Sequence, residues 1–182
     1  MGFTELLLEK AFMQFEPGPV ILVATNDGAK KNLMTITWHM VTDFTPALAI
    51  TTGPWNHSFR ALMKTKECVL AVPTVDMAET AVRIGDCSGV NVDKFAEFGL
   101  TSLPAAEVDA PLVAECLACL ECRVTDYVEG PGIVLLKGVR AWIDADRKER
   151  RIFHAVGDGT FVVDGETMNL RHLMEDKLPP GV

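Results

Sequence analysis

Residues 32–58, NLMTITWHMVTDFTPALAITTGPWNHS, contain two strand-like runs, at 33–41 and 47–52, joined by a turn at Phe44-Thr45-Pro46. Small polar side chains and imidazoles crowd into both runs and into the segment that follows them. A purely structural hairpin has no need of this mixture, so we expect a site here for a flat, polar ligand that carries a phosphate. The small polar side chains and imidazoles are Asn32, Thr35, Thr37, His39, Thr51, Thr52, Asn56, His57 and Ser58, and Trp38 and Trp55 lie among them in the sequence.

The end of this stretch, TTGPWNHS at residues 51–58, predicts the part of the site that binds an anion. A strand ends in two hydroxyls, the chain turns at Gly53-Pro54, and a helix begins near Asn56. The start of a helix leaves backbone N–H groups without partners and carries the positive end of the helix dipole. The alternative is that Asn56 or Ser58 only caps the helix.

Two neighbouring patterns also admit both a functional and a structural interpretation. In a strand at 33–41, alternation places Thr35, Thr37 and His39 on one face, where they could hydrogen-bond a heterocycle. Threonine is also a good strand former, and a lone histidine on a strand is often structural. The loop at Cys87-Ser88 could wrap a ligand with Lys94 as a cation, or it could be a turn beside a solvated lysine.

The rest of the chain indicates a mainly β protein with inserted helices. The turns between successive runs are of the hairpin type, which favours antiparallel pairing and a closed or nearly closed barrel over a doubly wound sheet. We predict strands at 20–25, 33–41, 47–52, 68–73, 116–128, 133–143 and 161–163, and helices at 58–65, 77–84 and 92–98.

Length and charge limit the class of protein. The chain has 182 residues, which fits one domain, and 48% of them are hydrophobic. We expect no membrane span, because no apolar run approaches the ~18–20 residues required, and no signal peptide, because the N-terminus is acidic. The net charge of −8 argues against nucleic acid as a partner.

The five cysteines predict core thiols in a reducing cytoplasm rather than disulfides or a metal site. Cys116, Cys119 and Cys122 have a spacing that invites an iron–sulfur interpretation, but a suitable fourth ligand is absent from the sequence. In a strand, Cys116 and Cys122 would share one face and Cys119 would lie on the other. The sequence also lacks zinc-site spacings, a P-loop and a Rossmann glycine motif.

Taken together, the segments resemble the flavin reductase-like family, of the flavoredoxin type. Their order and spacing match over roughly residues 15–165. The matching pieces are PGPVILVAT, NLMTITWHMVTDFTPALAITTGPWNHSF, ECVLAVPTVDMAETA, GDCSGVNVDKFAEFGL, APLVAECLACLECRV and GDGTFVVDG.

The resemblance implies a six-stranded antiparallel Greek-key split barrel at residues 15–166, preceded by an N-terminal helix or arm at 1–14 and followed by a tail at 167–182. It implies a homodimer that binds FMN, and the lack of an obvious adenine-binding element favours FMN over FAD. The residues it assigns to the cofactor form four groups. They are Asn32, Thr35, Thr37, Trp38 and His39 beside the ring and ribityl chain, Thr51, Thr52, Asn56, His57 and Ser58 at the far strand end and the phosphate, Cys87, Ser88 and Lys94 closing over the ligand, and Phe161 against the ring, from the same or the second subunit.

The activity that the resemblance implies is NAD(P)H-dependent flavin reduction or a related two-electron transfer. One feature departs from the pyridine nucleotide-dependent members, which carry a Gly-Asp-His stretch late in the barrel. Here that region is Lys137-Gly138-Val139-Arg140-Ala141-Trp142. The departure favours the alternative, an electron carrier between redox proteins, for which the acidic surface would suit a basic partner.

Overall fold

The structure is a computed structural model that describes residues 2–174 and 177–179. Strands account for most of its regular structure, in agreement with the predicted class. They are β1 (Thr4–Leu6), β2 (Ile21–Asn26), β3 (Lys31–Ile36), β4 (His39–Asp43), β5 (Ala47–Thr51), β6 (Glu67–Val72), β7 (Ser102–Leu103), β8 (Leu112–Val113), β9 (Ala118–Val128), β10 (Ile133–Ile143), β11 (Phe153–Ala155) and β12 (Phe161–Val163).

Short helices connect the strands. The α-helices are α1 (His57–Thr65), α2 (Ala78–Asp86) and α3 (Lys94–Glu97), and turns of 3-10 helix span Leu8–Gln14, Val75–Met77 and Arg171–Leu173. Within the described residues, every helix is too short or too polar to cross a membrane.

The main sheet is antiparallel throughout, with the strand order β3-β2-β6-β9-β10-β5-β4 and with β1 added beside β10. The two end strands, β3 and β4, follow one another in the chain and are separated only by Thr37 and Trp38. If the sheet were flat, β3 and β4 would be six strand spacings apart, which is ~29 Å. The three steps from Ile36 to His39 span at most ~11 Å. The sheet must therefore curl, and the edges of the resulting half-barrel meet beside Thr37-Trp38.

The sheet has more strands than the six that the resemblance implied. Within the described residues it contains eight. The predicted strand at 33–41 is broken at Thr37-Trp38 into β3 and β4, and the N-terminal arm supplies β1. Both changes leave the split-barrel class intact.

Apolar side chains pack on both faces of the sheet. Ile21 and Val23 of β2 face a cluster that includes Leu62 of α1. Leu22 and Ala24 face the opposite way, toward a cluster that includes Ile84 of α2 and Phe95 of α3. Burial on both faces explains why the strand is an unbroken apolar run, and it fixes α1 and α2 on either side of β3.

The cysteine prediction is confirmed in its main point, because all five are free thiols and the three at 116–122 are buried. Burial raises the pKa of Cys119 to about 12, which keeps it protonated. Cys119 and Cys122 lie on opposite faces, as predicted. The prediction that Cys116 and Cys122 share a face is wrong. Cys116 lies before β9 begins, outside the strand alternation, and packs in the same cluster as Cys119.

Candidate functional site

Most of the residues singled out in the sequence surround a groove that consists of three adjoining cavities in the described part of the chain. The helix pocket, of about 330 Å³, follows the side of α1. The central pocket, of about 260 Å³, shares Asn32, His57, Ser58 and Gly89 with it. The tryptophan pocket, of about 250 Å³, shares Thr35, Trp55 and Asn56 with the central pocket. Because the cavities share walls, they form one continuous groove.

Helix α1 begins at the junction of these cavities with its N-terminus open. Asn56 occupies the N-cap position, but its side chain makes no capping hydrogen bond. It donates instead to the hydroxyl of Thr52, at 3.2 Å. His57 and Ser58, the first two helical residues, line both the helix pocket and the central pocket. The Phe59 N–H donates to the Asn56 carbonyl at 3.1 Å, so the backbone N–H groups of His57 and Ser58 are the ones that can bind an anion.

Asn32 connects β3 to this helix start. Its Nδ2 donates to Ser58 Oγ at 2.8 Å, and both residues are buried. Its Oδ1 is buried and has no hydrogen-bond partner among residues 2–174 and 177–179. A Cβ at Gly89 would lie 2.2 Å from this oxygen, so only glycine permits the loop to approach the amide. Since buried polar atoms are almost always paired, Oδ1 is suited to accept a hydrogen bond from a ligand in the groove.

Cationic side chains surround the helix pocket, although the chain as a whole is acidic. Lys30 Nζ donates to the Gly89 carbonyl at 2.6 Å, and Lys64 Nζ donates to the Asp27 carbonyl at 2.8 Å. Arg60 forms no hydrogen bond or ion pair with any residue that the structure describes. The Asp27 carboxylate also lines the pocket. Backbone N–H groups of Lys30 and Ala29 lower its pKa, so it is ionised.

The sequence interpretation missed these three cations. Arg60 and Lys64 follow His57 at helical spacing, which places all three on one face of α1. In an acidic chain, this spacing of basic residues could have predicted that Arg60 and Lys64 lie at the site. Lys30 lies in a hairpin loop far from α1 in sequence, and only the folded structure brings it to the pocket.

Lys94 lines the central pocket, as expected, but it is buried rather than solvated, with 4% of its surface exposed. Its Nζ donates to the carbonyls of Leu33, at 2.8 Å, and Ile84, at 2.7 Å. Burial lowers its pKa from the ordinary lysine value. Its bonds fasten α3 to β3 and α2, so the lysine positions the wall that Cys87 and Ser88 complete.

Aromatic rings border the other end of the groove. Trp38 and Trp55 are 73% and 67% exposed and line the tryptophan pocket with Thr37 and Thr51. The Trp55 ring rests on backbone at two glycines. A Cβ would lie 2.2 Å from it at Gly53 and 2.6 Å from it at Gly132. Trp55 was noted in the sequence but was not assigned to the ligand, and the structure places it between two of the cavities.

Other proposed residues have engaged side chains or lie outside the groove. Thr52 is fully buried and lines none of the three cavities. Thr35 lines the groove, but its hydroxyl donates to the Ala81 carbonyl at 2.5 Å. His39 lies outside the three cavities, with Nε2 2.6 Å from the Pro19 carbonyl oxygen, and burial lowers its pKa. Phe161, on β12, also lies outside them and packs edge-on against Phe153 at 5.7 Å.

Comparison with known proteins agrees with this architecture. The sequence profile of the flavin reductase like domain matches residues 13–167. An Archaeoglobus fulgidus protein is 33% identical over 101 residues, which are 55% of this chain and 57% of that protein, so the match spans little more than half of the relative. The Escherichia coli protein YddH is 25% identical over 90% of this chain and 96% of its own length.

A solved structure of similar fold is the FMN-binding domain of a flavin reductases-like enzyme from Shewanella baltica. It has a TM-score of 0.83 and 23% identity, with 92% of this chain and 97% of that chain covered. The flavoredoxin of Desulfovibrio vulgaris has a TM-score of 0.75 and 24% identity, with 84% and 89% covered. These structures confirm the split-barrel fold. The profile match covers most of the chain, and the protein therefore belongs to the flavin reductase like domain family.

Proposed function

We propose that this protein binds FMN in the groove and takes part in two-electron transfer. The observation that carries the proposal is the junction of the helix and central pockets. There the uncapped start of α1 lies beside Asn32 Oδ1, a buried acceptor that has no partner among the described residues. A ligand with a phosphate and adjacent hydroxyl donors would satisfy both. The similar Shewanella baltica domain is described as FMN-binding, which supports the same choice.

The rest of the groove fits the other parts of FMN. Thr37 and Thr51, which line the tryptophan pocket, offer hydroxyls for a ribityl chain. Trp38 and Trp55 offer flat apolar surfaces for the ring system. When bound, FMN would supply the electron-transfer chemistry, while the protein holds, orients and shields it. We assign no nucleophilic or acid–base role to any residue.

We further propose that the bound flavin is reduced by NAD(P)H, which would make the protein an oxidoreductase. A second candidate is an electron carrier that receives electrons from a redox protein. One observation favours the carrier. Arg140, the cation in the segment that departs from the Gly-Asp-His pattern, is paired with Glu5 at 3.0 Å and with Glu107 at 3.6 Å. It is therefore already engaged and is not a free contact for a pyridine nucleotide.

Anaerobic reduction separates the two candidates. The FMN-loaded protein would be mixed with NADH or NADPH, and the flavin absorbance would be followed, with free FMN as the control. Bleaching faster than in the control supports a reductase. No bleaching by either nucleotide, together with bleaching by a reduced ferredoxin-type donor, supports the carrier and rules out the reductase.

We also propose a homodimer in the cytoplasm. Trp38, Met40 and Phe44 are large apolar side chains exposed on or beside the edge strand β4, and Trp38 also lines the groove. A second copy would cover them. The five free thiols support a reducing compartment. Sedimentation velocity of the FMN-loaded protein tests the dimer, and a single monomeric species at micromolar concentration would contradict it.

A further inference from the structure

The C-terminal extension, residues 168–174, begins where the match to the family profile ends, at residue 167. Every residue from 155 to 174 is exposed. The extension carries four large apolar side chains, of which Met168 and Leu173 are 78% and 72% exposed, and the other two are Leu170 and Met174. The rest of its own chain leaves these side chains in solvent, so we expect another surface to cover them.

The apolar surface of the extension continues onto the edge strand β4. Met174 and Phe44 line the same cavity, of about 350 Å³, which shares no residue with the groove. Phe44 follows β4, and the exposed side chains of Met40 and Trp38 lead from it along the strand to the tryptophan pocket. The extension, β4 and the tryptophan pocket are therefore parts of one apolar surface.

Strand β4 also has a free edge on which another chain can pack. In the part of the chain that the structure describes, it forms a ladder with β5 alone and stands at the end of the main sheet. An exposed edge strand with apolar side chains is a surface to which another segment adds readily. The extension and the edge strand meet at the Phe44 cavity, and both are uncovered. Two copies that pack around a two-fold axis cover both surfaces at once, because each copy contributes its extension to the edge strand of the other.

We propose that the C-terminal extension of each copy lies across β4 of a second copy and covers the ring end of its groove. Trp38 belongs both to the β4 surface and to the tryptophan pocket, so a segment that covers β4 also supplies a wall of that pocket. Leu170 and Leu173 of the partner subunit pack there. The inference rests on the proposed function, since it takes the groove as an FMN site, and it goes beyond the homodimer because it makes each site depend on two chains.

Aspartate substitutions in the extension test the contact. The double variant Leu170→Asp, Leu173→Asp changes two exposed side chains, so the fold of the single chain should be preserved. We expect it to weaken dimerisation by about tenfold or more in sedimentation velocity, and FMN affinity by a similar factor in isothermal titration calorimetry. Val82→Asp introduces the same charge at an exposed position of α2 outside the groove and should change neither quantity. A double variant that dimerises and binds FMN like the wild type would overturn the inference.

A mixing experiment shows whether the extension covers its own groove or that of a second copy. The Leu170→Asp, Leu173→Asp variant, whose groove is intact, is mixed with a His57→Ala, Ser58→Ala variant, whose extension is intact. In a mixed dimer the intact extension lies on the intact groove, so we expect the mixture to retain more FMN after gel filtration than the two variants retain separately. Retention equal to that of the separate variants would overturn the inference. A wild-type protein that dimerises but takes up no FMN would instead overturn the proposed function, and the sedimentation comparison would still test the contact, so the two failures are distinguishable.

Discussion

Asn32 of β3 donates a hydrogen bond from its Nδ2 to Ser58 Oγ of α1, at 2.8 Å, in a buried position. The bond fixes the amide, so that its oxygen is turned toward Gly89 and the groove. It also uses Ser58 as an acceptor and leaves the hydroxyl proton for another partner. One contact between a strand and a helix start thus sets both an acceptor and a donor at the proposed phosphate end of the site.

Removing the Ser58 hydroxyl should weaken FMN binding and the fold together. In Ser58→Ala the buried Asn32 amide loses its acceptor, at a cost of about 1–3 kcal/mol in the free energy of unfolding. We expect FMN affinity to fall about tenfold, and further when His57→Ala is added. Urea unfolding and quenching of FMN fluorescence measure the two effects. Ser102→Ala, a matched change outside the groove, should alter neither, and a double variant that retains full FMN affinity would disprove the phosphate assignment.

Gly89→Ala should displace the Asn32 amide without straining the backbone. The added Cβ would lie 2.2 Å from Asn32 Oδ1, so either the loop or the amide must move. We expect FMN affinity to fall by about tenfold or more. Gly130→Ala is the control, because its Cβ meets nothing within 4 Å. Equal FMN affinities for the two variants would show that the position of the amide is unimportant.

Glu121 should be a major determinant of stability, because this fully buried carboxylate accepts hydrogen bonds from four donors. They are the backbone N–H groups of Ala106, Glu107 and Val108 and the indole Nε1 of Trp142. Glu121→Ala leaves these donors unpaired and should cost about 3 kcal/mol or more, and Glu121→Gln should cost less. Glu115→Ala, which removes a surface carboxylate bonded to Thr101, provides the comparison in urea unfolding. Similar losses at the two positions would contradict this role.

The half-buried ring of His39 should make the fold less stable at mildly acidic pH. Burial lowers its folded-state pKa below the ordinary value of 6.5. As the pH falls through 6.5, the imidazole is protonated in the unfolded chain but stays neutral in the folded protein. The free energy of unfolding therefore decreases until the pH reaches the lowered pKa of the folded state. We expect the wild type to lose stability relative to His39→Gln between about pH 7.5 and about pH 5.5. A stability difference that is constant over this range would contradict the prediction.

Strand periodicity was enough to locate most of the barrel. The prediction for 133–143 coincides with β10, and that for 161–163 with β12, because each run is bounded by turn residues. The break at Thr37-Trp38 was missed, since the run from 33 to 41 stays strand-like. The break reflects closure of the sheet, which is a property of the whole fold rather than of the local sequence.

The candidate site was predictable where its residues are close in sequence and not where the fold assembles them. The stretch 51–58 showed a helix start preceded by hydroxyls, and the structure places the helix start and Thr51 at the groove. The approach of Gly89 to Asn32 joins segments more than fifty residues apart and has no local signature. The burial of Lys94 was also unexpected, because lysine is rarely buried. Its ammonium group is paired with two backbone carbonyls that only the folded structure brings to it.

The central claim is that the groove binds FMN, and the visible absorption spectrum of the protein tests it most directly. The purified protein would be incubated with excess FMN, freed of unbound flavin by gel filtration, and compared with the His57→Ala, Ser58→Ala double variant. We predict a yellow wild-type protein with about one FMN per chain and a variant that loses most of its flavin on the column. A wild-type protein that emerges colourless would contradict the account.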